Sequence, residues 1–164
     1  MDITAPTISL KKAAYAAGLS TRWLRAALSD GHMVMLGQTT RQAGGWNYGA
    51  PVDVYRLLVV RKLLGVGLNM AEAMHVLDAG LDPHLGGLCG CGISLPVSFL
   101  LNRLEGAALY VTRDDETNSI SVRSGPAGDP PGSGLTICLD LGNLAADAIR
   151  RLEAAHTSTA ANDA

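Results

Sequence analysis

Two short stretches of helical periodicity meet at Gly18-Leu19-Ser20, and that corner limits the possible folds of the chain more than any other feature. Leu10, Ala13, Ala14 and Ala17 recur at the spacing of one helix face, and the pattern stops at Gly18, which can take the positive φ of a sharp exit. Leu19 is placed to plug the corner, and Ser20 is suited to cap a second helix whose inward residues are Leu24, Ala27 and Leu28. Side chains as small as Ala13, Ala14 and Ala17 are what a close helix crossing needs, so the spacing predicts a tight helix-turn-helix rather than a loose helical hairpin.

The residues that follow extend this unit. Met33-Val34-Met35 reads as a short strand, Gly37 to Gly45 as a polar loop, and Trp46-Asn47-Tyr48 as the strand returning beside the first, together a wing. Pro51 suits the first turn of a third helix with an apolar stripe at Val54, Leu57, Leu58 and Leu64, ended by Gly65 and Gly67. Asn69 and Glu72 stand at capping-box spacing and open a fourth helix that runs through Leu77 and is closed by Gly80. Residues 8–81 are therefore expected to form a winged helix-turn-helix with a following helical pair.

Between Asp82 and Ser94 the composition shifts to Gly, Pro and Cys, which predicts a linker over 82–94 and a different unit beyond it. Over 95–155 the pattern predicts a short helix from Pro96 to Leu104 and a hairpin of Leu109–Val111 and Ile120–Val122 around the polar stretch Arg113–Ser119. A Pro/Gly-rich loop spans 124–134, and then Leu135, Ile137, Leu139 and Leu141 alternate with polar residues as in a half-buried strand. Cys138, within that strand, reads as a small packed side chain. Leu144, Ala148, Ile149 and Leu152 define a last helix, and 156–164 a disordered tail. The fold class is α+β. The last strand and helix offer apolar faces too small to be stable alone, which assigns them to an interface between two copies of the chain.

The formal net charge of the 164 residues is −2, which by itself speaks against a polyanion partner, but the charges are unevenly placed. Residues 1–62 carry eight Lys/Arg against three acids, a net of +5, whereas 63–164 carry five against twelve, a net of −7. Such asymmetry points the N-terminal half at a nucleic acid. With one Phe, two Trp and four Tyr, the core leans on Leu, Val, Ala and association. No basic segment followed by an apolar run opens the chain, and Arg61 and Lys62 interrupt the longest apolar stretch, so no membrane contact and a cytoplasmic location are expected. Three cysteines are too few and too oddly spaced for a disulfide framework.

The second helix carries the candidate site. Thr21, Arg22 and Arg25 point away from Leu24 and Leu28, and a helix presenting arginines to a major groove can bond guanine bidentately while Thr meets a phosphate, base edge or thymine methyl. Ser20 opens that segment. Arg41 at the wing tip, with Gln38, Thr39, Thr40 and Gln42, supplies donors for the phosphate backbone or minor groove. Tyr48 either donates its hydroxyl to a phosphate or closes the wing, and Trp23 reads as packing under the wing. Arg56, Arg61 and Lys62 read equally as a solvated face or as phosphate contacts. Cys89 and Cys91, with His84 nearby, are weak candidates for a metal site, since Cys-x-Cys lacks the spacing of structural zinc and further ligands would be needed. Asp114, Asp115 and Glu116 fall in the hairpin turn, and no catalytic signature, phosphate-binding loop or cofactor motif is present, so no enzyme and no cofactor are expected.

The segments KKAAYAAGLSTRWLRAAL, GGWNYGAPVDVYRLLVVRKLLGVGL and NMAEAMHVLDAGL occur in the order seen in MerR-type regulators, and residues 8–81 resemble that module. The resemblance implies dimers that bind operator DNA, with Ser20–Leu28 as recognition helix. Two departures stand out. Gly45-Trp46-Asn47 occupies a place where members often have Gly-Tyr-Arg, so a backbone-contacting arginine is missing, and a Gly/Cys-rich break replaces the long dimerisation helix that many members carry. Related modules also occur in phage excisionases and terminase small subunits. The expected function is a sequence-specific, double-stranded-DNA-binding transcriptional regulator acting as a homodimer. The alternatives are a phage-type architectural, packaging or recombination factor whose C-terminal half docks another protein, and a metal- or ligand-sensing regulator.

Overall fold

The computed structural model of the chain describes residues 2–36, 48–89, 95–114, 116–128 and 136–160, apart from the side chains of 86–89 and 156–160. The architecture is α+β, and the core is built around α3 (Pro51–Gly65). Every residue from Pro51 to Val60 is buried, so the stripe expected at Val54, Leu57 and Leu58 is one side of a stretch enclosed on all sides, while Leu64, the last of the stripe, is half-buried beyond it. Around α3 lie α1 (Leu10–Ala17), α4 (Met70–Val76) and the C-terminal α7 (Leu141–Ala160), with α2 (Thr21–Ser29) packed on α1.

The corner between α1 and α2 has the expected chemistry. The Ser9 hydroxyl accepts from the Lys12 amide at the start of α1. At its end Gly18 takes φ 67° while the Gly18 and Leu19 amides donate to the Tyr15 and Ala14 carbonyls, the double bond pattern of a Schellman cap. Ser20 Oγ then accepts from the Trp23 amide at 3.1 Å. α1 is alanine-rich on more of its surface than one crossing requires because α2, α3 and α7 all close on it, burying Ala16 as well as Ala13, Ala14 and Ala17.

The expected strand at Met33–Met35 is not formed. Met33 and Met35 are buried and Val34 is exposed, an extended alternation, but its polar backbone groups are satisfied from α3: Arg56 Nη1 donates to the Val34 carbonyl, and the Leu36 amide donates to Asp53 Oδ1. The strand β2 (Tyr48–Gly49) instead pairs antiparallel with β1 (Ile8–Ser9), Ser9 opposite Tyr48. The wing loop and Trp46-Asn47 lie outside the described residues.

Gly80 does not close a helix. The Asn69 and Glu72 side chains cap α4 reciprocally as expected, but the chain then widens into a π-helical turn over Leu77–Leu81 and continues as α5 (Asp82–Cys89), through the start of the expected linker. Gly80 is where this turn meets the sheet: a Cβ there would press on Leu109 Cδ1 and lie 2.6 Å from Val122 Cγ1. After α6 (Val97–Leu104) the strands β3 (Ala107–Arg113), β4 (Ile120–Pro126) and β5 (Thr136–Asp140) form a sheet in the order β4-β3-β5, antiparallel throughout. The hairpin and the alternating strand are thus formed, with Val111 between Val122 and Ile137, although Leu135 lies outside the described residues. Cys138 is exposed rather than packed, because it shares a face with Thr136 and Asp140 while Ile137 and Leu139 turn to the core.

The apolar face of α7 is covered within the chain. Leu141, Ala145, Ala148, Leu152 and Ala155 are buried where α7 runs against α1, α3 and α6, so this face is not left for a second copy. The helix also continues to Ala160, past His156 where a tail was expected. Among the described residues no helix is long and apolar enough to cross a membrane.

Candidate nucleic-acid interface

The second helix turns its apolar side inward and its arginines outward. Leu24, Ala27 and Leu28 are buried, and Arg22 and Arg25 are exposed one turn apart. Neither arginine makes a hydrogen bond or ion pair with a described residue, and the same holds for Arg103 and Arg123, whereas Arg56 is engaged with Asp82, Arg113 with Glu72, and Arg150 and Arg151 with Asp147. Thr21 is half-buried at the edge of the outward face. Ser20 is exposed, but its oxygen already serves as the helix cap, so it holds the first turn in place for the residues after it. Trp23 is partly buried and packs against the core.

Helical spacing exposes further residues on α2 and α1. Ala26 and Ser29 are exposed beside Arg22 and Arg25, and the alanine keeps the middle of the face low enough for close approach. On α1, Lys11 and Tyr15 are exposed at i, i+4, and Tyr15, 71 % exposed, is the least covered large apolar side chain among the described residues. A first helix that crosses the nucleic-acid backbone would present residues of this kind. Their i, i+4 spacing on the outward side of α1 is the sequence signal for them.

Arg41, Gln38, Thr39, Thr40 and Gln42 lie outside the described residues. The chain that flanks them is tightly held on both sides. Asp53 is fully buried; its Oδ1 accepts from the Leu36 amide at 2.7 Å and its Oδ2 from the Ala50 amide at 2.8 Å, so one carboxylate binds the residue before 37–47 and a residue shortly after. This is a capping-box bond with a second acceptor oxygen to spare for the chain alongside. Tyr48, 47 % exposed, is placed by its pairing with Ser9 at the foot of α1.

Arg56, read from sequence as a solvated or phosphate-contacting residue, is only 2 % exposed and does neither. Its guanidinium meets Asp82 through Nε at 2.9 Å and Nη2 at 2.7 Å, and its Nη1 reaches the Val34 carbonyl at 2.6 Å. Arg61 is exposed as a whole, yet its guanidinium packs beneath Gly18 and donates to the Ala17 carbonyl at 3.2 Å, so it supports the corner. Lys62 is exposed.

The remaining candidates do not gather into a site. His84 is half-buried on α5, Cys89 ends that helix, and Cys91 lies outside the described residues. Among the described residues no group of three or more His, Cys, Asp or Glu is arranged to hold a metal. Asp114 is a turn residue: it accepts from the Glu116 and Thr117 amides, and these bonds, Thr117 foremost, hold its carboxyl below the ordinary range. Compared with models of known protein families and with curated protein sequences, the chain has no match in either.

Proposed function

We propose that this protein is a sequence-specific, double-stranded-DNA-binding transcriptional regulator of MerR-like, winged helix-turn-helix type, in which α2 enters the major groove. The observation that carries the reading is the outward face of α2: two exposed arginines, one turn apart and without acidic partners among the described residues, on the second helix of a tightly capped helix pair. Arg22 and Arg25 read bases, Thr21 and Ser29 flank them, and Lys11 and Tyr15 on α1 with Tyr48 meet the backbone. The net +5 of residues 1–62 supplies the long-range attraction. Arg41, in the loop expected to form the wing, joins as a phosphate contact.

Two copies on adjacent half-sites suit a reader whose helix spans only a few base pairs. Since α7 packs on its own chain, such copies would meet elsewhere than on its apolar face. Selection of bound duplexes from a random DNA pool tests the proposal: a recurrent motif is expected, palindromic if two copies bind. In binding titrations Arg22→Ala and Arg25→Ala should each relax preference at one base pair by about 1–3 kcal/mol, while Arg41→Ala should weaken all duplexes alike. A pool that yields no motif, with uniform losses in all three variants, would make the protein an architectural binder.

A further inference from the structure

We infer that Asp82 is a positioning residue for the DNA-binding half, acting through Arg56 on the segment that leaves α2. This rests on the reading of α2 as a DNA-contacting helix, but its geometry stands on its own. Asp82 is the first residue of α5, an element with no residue on the candidate interface. Its two oxygens hold Arg56 Nε and Nη2, which leaves the third corner of the planar guanidinium, Nη1, aimed at the Val34 carbonyl. Arg56 is buried, and inside the protein the Asp82 carboxylate is the group that balances its guanidinium charge.

Val34 lies in a short segment that is tied at three successive points. The Met33 amide donates to the Ala27 carbonyl on α2, the Val34 carbonyl accepts from Arg56, and the Leu36 amide donates to Asp53. Met33 and Met35 fill the core between these ties. The line Asp82, Arg56, Val34, Ala27 therefore runs from α5 to the buried side of α2. If the carboxylate is lost, the guanidinium must turn toward water, and in doing so it releases Val34. The last turn of α2, with Arg25 and Ser29 on its outer side, then loses one of the ties that set its position.

The test compares Asp82→Asn with the double variant Arg56→Met/Asp82→Leu, in which an apolar pair replaces the ions and removes the buried charge altogether. Amide hydrogen exchange is read at Met33 and Leu36 with α4 as internal control, and affinity is measured for a duplex selected by the wild-type protein, with Arg22→Ala alongside. The double variant should melt close to wild type, exchange Met33 and Leu36 about tenfold faster with α4 unchanged, and bind the duplex about tenfold more weakly. Unchanged exchange at both amides in the folded double variant overturns the positioning role. So does failure of both variants to fold, which would make the pair a support of the whole fold. Faster exchange with unaltered affinity, where Arg22→Ala does weaken binding, overturns the link to DNA. If wild type selects no duplex, the DNA reading fails while the exchange result still decides whether Asp82 positions the segment.

Discussion

At the scale of single residues, polar side chains are placed where the backbone would otherwise be left unsatisfied or unstable. Gly18 has φ 67°, and a Cβ there would press on the Arg61 guanidinium that serves the Ala17 carbonyl. Gly18→Ala should cost about 1–2 kcal/mol in urea denaturation, the price of a left-handed conformation for a residue with a Cβ. Tyr55 is a second case: its hydroxyl donates to the Leu141 carbonyl at 3.3 Å, and burial, with Asp140 adding to it, pushes its ionisation far above the ordinary range. The native state thus keeps the phenolic proton above about pH 10, where the unfolded chain gives it up. With fewer protons bound in the unfolded state, stability falls as pH rises through that value. Tyr55→Phe should flatten this alkaline limb in denaturation measured between pH 8 and 11; an unchanged slope would show that Tyr55 does not contribute to it.

At the scale of elements, what could be read from sequence is what short-range chemistry decides. The Gly18–Ser20 corner, the Asn69/Glu72 capping box, the hairpin of β3 and β4 and the alternation of β5 each depend on residues a few positions apart. Misreadings fall where a distant partner decides. Met33–Met35 has strand-like alternation, yet Asp53 and Arg56, about twenty residues on, take its backbone bonds, and the strand partner of Tyr48 is Ser9 at the other end of the module. The outward arginines of α2 were legible from periodicity, whereas the burial of Arg56 was not, since its partner Asp82 lay in a stretch that reads as linker. Gly80 shows the same cause, a glycine that resembles a helix stop but exists to let the π turn touch β3 and β4. Gly80→Val should therefore overpack the Leu109 and Val122 contact and destabilise the fold by about 1–3 kcal/mol. A helix-stop role would instead leave Gly80→Asn near wild type, since Asn tolerates a C-cap, and the two variants compared by thermal melting separate the explanations.

At the scale of the whole molecule, one hydrophobic cluster joins residues of both halves: Ala13, Ala17 and Val59 belong to it together with Leu141, Ala148 and Leu152. The glycine-rich composition of 82–94 reads as a border because it is a local signal, while the packing that crosses it comes from a helix some fifty residues later. A module closed by its own C-terminal helix should unfold with it. Both tryptophans, Trp23 and Trp46, lie in the N-terminal half, so their fluorescence reports that half alone. Leu152 is buried on α7, and Leu152→Ala should cost about 2–5 kcal/mol through the cavity it leaves. If the halves are one cooperative unit, the tryptophan-detected transition shifts by the same amount as the far-ultraviolet circular dichroism transition. Were the fluorescence midpoint to stay fixed while the dichroism moved, the N-terminal half would be stable without α7. A shared shift makes the C-terminal segment part of what holds α1, and through α1 the Gly18 corner, in place.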